Sequence, residues 1–302
     1  MPSSPHALNS GHPWHGMALY ALALLLFACL DTTTKYLTQT YNVPLVVAIR
    51  YLVHFTLMLV LLAPIEGRRL VQTTHSGWVL LRGASLAAVS LCVGLALSRM
   101  PVAETTAIVF LAPIAVVMLA VPLLGERLGR WGWGACLAGF VGVLLIARPG
   151  SGLDPNGMLF AVGAVIAATL YQLLSRYLAS RERTVTLLFY TALFGSMLYG
   201  ILLPWTLHGP APSLTHVLLF LSMGCYGGLG HYLYTAAYRH ASASTLAPMN
   251  YLQLLWAGMM GWLVFDHLPD HTSLVGMVLI ALSGVIVALS NRRPRQASGN
   301  SA

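Results

Sequence analysis

The second half of this 302-residue chain repeats the first at an offset of about 140 residues, and each copy holds five long apolar segments, an odd number. Ala96-Leu97-Ser98-Arg99, followed by Ala103, Glu104 and Thr105, aligns with Ala236-Ala237-Tyr238-Arg239, followed by Ala243, Ser244 and Thr245. Leu124-Gly125-Glu126-Arg127-Leu128 falls on Val264-Phe265-Asp266-His267-Leu268, and Lys35-Tyr36-Leu37 falls on Arg176-Tyr177-Leu178. After a two-residue insertion, Gly134 and Gly142 fall on Gly276 and Gly284. A unit with an odd number of spanning helices enters a bilayer the opposite way up from its twin. The chain is thereby confined to two inverted five-helix repeats, an architecture on which alternating access is commonly built.

The bilayer itself follows from composition. Residues are 57% hydrophobic and 8% charged, with mean hydropathy +0.75, whereas soluble domains carry about 25% charged residues. Crossing a hydrocarbon core of roughly 30 Å takes about 20 apolar residues. Ten segments satisfy this, at 17–37, 45–64, 77–98, 102–124, 131–148, 157–178, 185–206, 215–238, 242–265 and 272–290. The predicted class is an all-α polytopic membrane protein with ten transmembrane helices. Its expected division is a polar leader at 1–16, a first repeat at 17–148, a second at 157–290 and a basic tail at 291–302. No Lys or Arg precedes Met17 and no cleavage site follows the first apolar run, so that run is expected to stay as helix one. Cys29, Cys92, Cys136 and Cys225 sit singly in different segments, with neither paired nor metal-type spacing. They read as small buried hydrophobes, and no metal or cofactor is expected.

The net charge of +8 raises the question of nucleic acid, but the placement of the arginines answers it. Lys and Arg concentrate in cytoplasmic connections. Arg68, Arg69 and Arg82 flank connection two to three, Arg127 and Arg130 lie in four to five, and Arg176, Arg181 and Arg183 flank six to seven. Arg239 lies in eight to nine, and Arg292, Arg293 and Arg295 lie in the tail. The other side has Lys35, Arg99 and Arg148 near helix ends. Both termini are therefore expected in the cytoplasm, with the arginines serving topology and lipid headgroups.

Ionisable groups inside spanning segments are costly and mark candidate sites. Asp31 and Lys35 lie four apart on helix one, as do Arg50 and His54 on helix two, and Glu104 opens helix four. Asp31, Lys35, Arg50 and Glu104 are expected in the non-cytoplasmic half of the first repeat, able to form one charged cluster. That cluster has two readings: a substrate or proton site, in which a carboxylate exchanges a cation for a proton or an amine, or a salt-bridge network pinning helices one, two and four. The second repeat differs. Gly227, His231, Tyr234 and Tyr238 share a face of helix eight, Asn250, Gln253 and Ala257 share one of helix nine, and Tyr171 and Gln172 lie on helix six. These line a cavity for an organic solute or bond helix to helix. Pro113 in helix four and Pro248 in its repeat partner, helix nine, free a backbone carbonyl each and are candidate hinges. Gly134, Gly139, Gly142, Gly276 and Gly284 fit close packing of helices five and ten. Asp266, His267, Asp270 and His271 look metal-like but read as a solvated turn. No phosphate loop, HExxH or nucleophile elbow occurs, which argues against an enzyme and against an ATP-driven pump within this chain.

Along nearly its whole length the chain resembles the EamA family of the drug/metabolite transporter superfamily. The resemblance rests on Phe27-Ala28-Cys29-Leu30-Asp31 with Lys35, Arg50-Tyr51, Leu81-Arg82-Gly83 and Met100-Pro101-Val102-Ala103-Glu104-Thr105 with Pro113. It extends to Leu124-Gly125-Glu126-Arg127-Leu128, Gly139-Phe140-Val141-Gly142-Val143 and Arg148-Pro149-Gly150. It implies a ten-helix carrier with cytoplasmic ends and a cavity lined by helices other than five and ten. Its members handle amino acids, nucleosides, vitamins, cofactors such as S-adenosylmethionine, drugs and amino-acid-derived metal chelators. Ser244 stands where the first repeat has Glu104, so a carboxylate role there is one-sided.

The expected function is a bacterial inner-membrane secondary transporter that exports a small polar or zwitterionic metabolite, an amino acid or amino-acid-derived product. Asp31 or Glu104 would titrate, Lys35 and Arg50 would meet carboxylates, and His231 with the aromatics would shape specificity. The alternatives are an importer of a vitamin, nucleoside or cofactor such as riboflavin, and, more remotely, a polytopic membrane enzyme. The expected partners are the substrate and the bilayer, without nucleic acid, and with a homodimer as a further option.

Overall fold

A computed structural model describes residues 13–124, 130–146, 148, 152–178, 181–207, 209–237, 240, 249–250 and 252–290. In the first repeat α1 spans Pro13–Leu37, α2 Val43–Glu66, α3 Ser76–Leu97, and a broken fourth span comprises α4a (Val102–Val109) and α4b (Ala112–Leu124), before α5 (Arg130–Ile146). The second repeat has α6 (Pro155–Leu178), α7 (Thr184–Thr206), α8 (Leu214–Ala237), α9 (Leu252–Phe265) and α10 (His271–Ser290). The ten transmembrane helices form two inverted five-helix repeats. Expectations for Glu126, Arg127, Tyr238, Arg239, Ser244 and Pro248 fall on residues outside the described set.

Local sequence starts and breaks these helices. Asn42 caps α2, accepting from the Leu45 N–H at 2.9 Å, with Pro44 in the first turn. Asp154 does the same for α6, accepting from the Gly157 N–H at 2.6 Å with Pro155 as its first residue. Pro113 has no N–H to give the Val109 carbonyl, and the helix is interrupted at Phe110 and Leu111, directly before it. Pro64 and Pro204 lie near the ends of α2 and α7, 140 residues apart, where kinks cost little.

Among the described residues, five helices are long and apolar enough to cross a membrane alone, within 14–37, 43–70, 76–97, 155–175 and 184–206. Shorter apolar helices lie within 102–116, 137–146, 252–265 and 271–283, and α8 runs for 24 residues. Their outward faces are apolar too: Ile65 of α2, Leu137 of α5 and Ile201 of α7 are all exposed. In water such surfaces would be a liability; against acyl chains they need no partner. Cys225 belongs to this outer surface, which corrects the expectation that it is buried, while Cys29 and Cys92 are half-buried.

The packing pairs follow the repeat. α1 packs on α8 as α6 packs on α3, α2 on α8 as α7 on α3, and α1 on α9 as α6 on the fourth span. The pairs α2–α7, α4a–α9 and α5–α10 map onto themselves. A pairing scheme that exchanges with itself in this way is what a two-fold relation between halves produces. The self-paired α5–α10 seam is the closest, since a Cβ on Gly276 would lie 2.5 Å from the Gly142 carbonyl oxygen. Gly139 packs here as well, against Ile114 and Ser283, whereas Gly134 meets no neighbouring atom within 4 Å and takes no part.

The bundle has two ends. At one, Glu182 in the α6–α7 loop accepts from Thr73 Oγ1 at 2.9 Å and from the backbone N–H groups of Thr74 and His75 at 2.9 and 3.0 Å. Arg183 pairs with Glu66 there at 2.9 Å. At the other end Asn42 Nδ2 donates to the Thr206 carbonyl at 2.5 Å, and Tyr41 bonds His216 at 2.9 Å. The repeat makes these two ties equivalent, each joining a loop of one half to a loop of the other.

Candidate substrate site

Two connected cavities lie between the repeats. The larger, about 470 Å³, is lined from α1, α3, the fourth span, α6, α7, α8 and α9. The smaller, about 130 Å³, is lined from α1, α2, α3, α7 and α8. Asp31, Val93, Leu188 and His231 face both and form the partition. α5 and α10 reach neither, being occupied with each other. Along the larger cavity the described lining runs from the buried Leu97 and Thr105 to the exposed Thr184, toward the Glu182 end of the bundle.

Asp31, Gln172, His231, Tyr234, Asn250 and Gln253 all line the larger cavity, together with Pro113. Helical spacing explains the grouping on α8, where His231 and Tyr234 are three apart and share a face. The Gln253 amide is within hydrogen-bonding reach of the Asp31 carboxylate. Asn250 Oδ1 accepts from the Tyr20 hydroxyl at 2.9 Å. The Tyr20 ring lies 4.9 Å from that of Tyr234, tilted by 31°, and Phe27 lies 5.0 Å from the His231 ring and 6.1 Å from Tyr234. The aromatic wall therefore belongs to both repeats. Tyr20 and Phe27 escaped the sequence reading because an aromatic on an apolar helix carries no mark of its own.

Arg50 and His54 face the smaller cavity, with Asp31, His231, Tyr51 and Ser90. The His54 and His231 rings lie parallel with centroids 6.4 Å apart. Tyr51 and Ser90 bond each other at 2.9 Å, and the Arg50 guanidinium sits 4.9 Å over the Tyr51 ring. Arg50 forms no ion pair with Asp31, although both charges face this chamber.

The expected single cluster of Asp31, Lys35, Arg50 and Glu104 does not form. One turn of helix carries Lys35 about 6 Å beyond Asp31, away from both cavities. Lys35 Nζ donates instead to the carbonyls of Leu97 and Met100, at 2.9 and 2.7 Å, and lies 5.4 Å over the Phe265 ring. Leu97 ends α3, so the ammonium satisfies a carbonyl that the helix leaves without a partner, at the negative end of its dipole. Lys35 is thereby removed from the expected carboxylate contacts. Glu104, also away from the cavities, is buried at the start of α4a; its Oε1 lies 3.2 Å from His267 Nε2 and its Oε2 has no partner. His267 is thus not a freely solvated turn residue, and it corrects that expectation by reaching across the two repeats. Asp270 from the same turn caps α10, accepting from the Ser273 N–H at 2.7 Å, and pairs with Arg148 at 2.7 Å.

Arg82 is a second correction. Expected as a headgroup arginine, it is buried, lines the larger cavity and donates to Ser175, Tyr171 and Thr191 at 2.8 Å each and to the Leu187 carbonyl at 3.1 Å. The chemistry on offer is recognition: opposed charges, amides, phenols and rings, with no nucleophile and base in register.

Known proteins agree with this geometry. A solved crystal structure superposes with a TM-score of 0.67 at 19% identity, over 92% of this chain and 99% of its own, which shows the fold. The S-adenosylmethionine uptake transporter of Rickettsia bellii is 24% identical over 92% of this chain and 94% of its own. For the pseudopaline exporter CntI of Pseudomonas aeruginosa the figures are 28%, 92% and 96%, and for the riboflavin transporter of Vibrio cholerae 27%, 90% and 92%. Residues 14–148 and 155–289 each match the EamA-like transporter family. With both halves matched, the chain belongs to the EamA-like transporter family and is a polytopic membrane transporter rather than an enzyme.

Proposed function

We propose that the protein is an inner-membrane secondary carrier with both termini in the cytoplasm, exporting a small amino-acid-derived metabolite by alternating access. One observation carries the substrate class: Asp31 and Arg50 face the same small chamber without pairing with each other. A carboxylate and a guanidinium held apart in a low-dielectric interior suit a ligand that brings an ammonium to one and a carboxylate to the other. The larger cavity then takes the rest of the molecule, with Gln172, Asn250 and Gln253 supplying hydrogen bonds and Tyr234 and His231 supplying ring contact. At 470 Å³ it accommodates more than a simple amino acid side chain. Access at the Glu182 end, the end assigned to the cytoplasm in this reading because it bears the arginine-rich loops, suits loading from inside. Motion is assigned to the two repeats rocking about the break before Pro113 and about Pro248 in the partner helix. Residues 17–148 and 157–290 are the moving units.

Comparing metabolites inside and outside a deletion strain and its complemented parent tests this. A compound with an amine and a carboxylate should accumulate inside the deletion strain and fall in the medium. No change in any such compound would reject the substrate class. Import of a ring-bearing cofactor is the second reading, favoured by the aromatic wall of Tyr20, Phe27 and Tyr234 and by uptake in one named relative; it reverses the sign of the metabolite change. Counterflow in proteoliposomes under a pH gradient assigns coupling. Asp31→Asn is expected to remove proton dependence and cut exchange at least tenfold, the effect of losing about 1.4 kcal/mol or more. Unchanged transport by this variant would exclude Asp31 from coupling.

A further inference from the structure

Arg82 is a cation without a counter-ion. Its side chain is only 5% exposed, and no described carboxylate forms an ion pair with it. All its acceptors are neutral: the Ser175, Thr191 and Tyr171 hydroxyls and the Leu187 carbonyl. A guanidinium has five N–H donors, and four are used, two by Nη1 and one each by Nε and Nη2. The remaining Nη2 hydrogen belongs to a group that lines the larger cavity. Contacts from α6 and α7 fix the plane of the guanidinium, and the Tyr171 ring lies 4.6 Å beneath it. A buried charge with only neutral partners is costly inside a membrane protein. Rigid placement beside a cavity lets an anionic ligand relieve that cost.

Counting fixed charges gives the ligand's own. Among the described residues, the charged groups lining the two cavities are Arg50, Arg82 and Asp31, with His54 and His231 as the imidazoles. The fixed charge of the two guanidiniums exceeds that of the single carboxylate by one. Lys35 and Glu104 do not alter this sum, since neither lines a cavity.

We propose that Arg82 is a second anion subsite, and that the substrate is an amino acid derivative carrying an additional carboxylate at the end remote from its amino-acid head. The proposal rests on the amino-acid-derived reading above. The head occupies the chamber between Asp31 and Arg50, the body passes His231, and the remote carboxylate accepts from Arg82 Nη2. Arg82 then sets specificity while also joining α3 to α6 and α7.

Three probes test it by calorimetric titration of the purified full chain. They are γ-L-glutamyl-L-alanine, its C-terminal amide, and glutaryl-L-alanine, which lacks the ammonium group. The wild-type chain should bind the acid at least about tenfold tighter than the amide, as expected of a charge-assisted hydrogen bond. Arg82→Gln should lower affinity for the acid far more than for the amide, and Arg82→Lys should keep part of the preference. Equal wild-type affinities for acid and amide overturn the subsite even if no Arg82 variant folds. Equal losses for both probes in Arg82→Gln overturn it as well, leaving a structural tie. If glutaryl-L-alanine binds as tightly as the amine-bearing acid, the head-group reading fails while the Arg82 subsite stands. Binding of none of the three rejects both.

Discussion

The two ends of the bundle carry equivalent ties between the halves but differ in what lies between them. Glu182 joins the α6–α7 loop to the α2–α3 loop, and Asn42 and Tyr41 join the α1–α2 loop to α7 and α8. Between the ties, at the Asn42 end, Lys35 bridges α1 to the carbonyls after α3, and Glu104 meets His267. At the Glu182 end the cavity reaches the exposed Thr184. The lesson is that symmetry-related contacts hold the frame while unpaired contacts decide which side is shut. Ser244 stands at the repeat counterpart of Glu104, so the carboxylate of this closure belongs to the first repeat alone, while its partner His267 comes from the second.

Removing the closure should have the largest effect. Lys35→Met deletes two charge-assisted hydrogen bonds, each worth about 1.5–3 kcal/mol, from the shut end. Expected outcomes are at least a tenfold fall in counterflow and increased labelling of a Leu97→Cys reporter by a membrane-impermeant maleimide added from that side. Unchanged labelling would mean that the shut end does not depend on the ammonium. The next largest effect belongs to the seam that opens at neither end. Gly276→Ala places a Cβ against the Gly142 carbonyl, and such overpacking costs about 1–3 kcal/mol. The melting temperature in detergent should fall, while any transport that survives keeps its substrate preference.

Much of this frame was legible in the letters. Odd repeats fixed the inversion, hydropathy fixed the spans, and Pro113 marked the break that separates α4a from α4b. Helical spacing put His231 with Tyr234 on one face of helix eight and Asn250 with Gln253 on one face of helix nine, while the fold sets all four beside Asp31 around the larger cavity. Partners were not legible, because they depend on which residues face each other across the repeats. Asp31 and Lys35 share a face of α1, yet one turn sends one to the cavity and the other to backbone carbonyls, which have no letter in a sequence. Glu104 and His267 lie 163 positions apart. Arg82 lies inside the 77–98 segment yet reads with the loop arginines beside it, and the packing of α3 against α6 and α7 sets it apart. A proline signal was also missed: Pro64 and Pro204 repeat at the same offset as the rest of the duplication.

A smaller effect is expected from the tie at the open end. Burial alone would raise the pKa of Glu182, but donors from Thr73, Thr74 and His75 outweigh it and hold the carboxyl at about 2, below its ordinary 4.5. A depressed carboxyl pKa contributes stability above the unfolded value and loses it as pH falls through the folded value. Glu182→Gln should therefore lower stability by on the order of 1–2 kcal/mol at neutral pH. The difference from wild type should shrink as pH falls from 4.5 toward 2. A difference independent of pH in that window would place the loss in shape rather than charge.

Asp270, at the shut end, gives the smallest effect although its pKa is held equally low. The Ser273 backbone N–H contributes most and Arg148 next, bringing the carboxyl to about 2. The direction and the pH window match those of Glu182, with stability present above the ordinary 3.8 and lost on acidification toward 2. What differs is cover: the Asp270 side chain is 50% exposed and that of Glu182 4%. Water and salt take over when an exposed ion pair is broken, so such pairs contribute little. Asp270→Asn keeps an oxygen to accept from Ser273 and loses only the screened attraction to Arg148. Its melting temperature should stay close to that of wild type at physiological salt and separate from it only at low ionic strength. A large, salt-independent drop would mean that the Arg148–Asp270 pair belongs to the closure with Lys35 and Glu104.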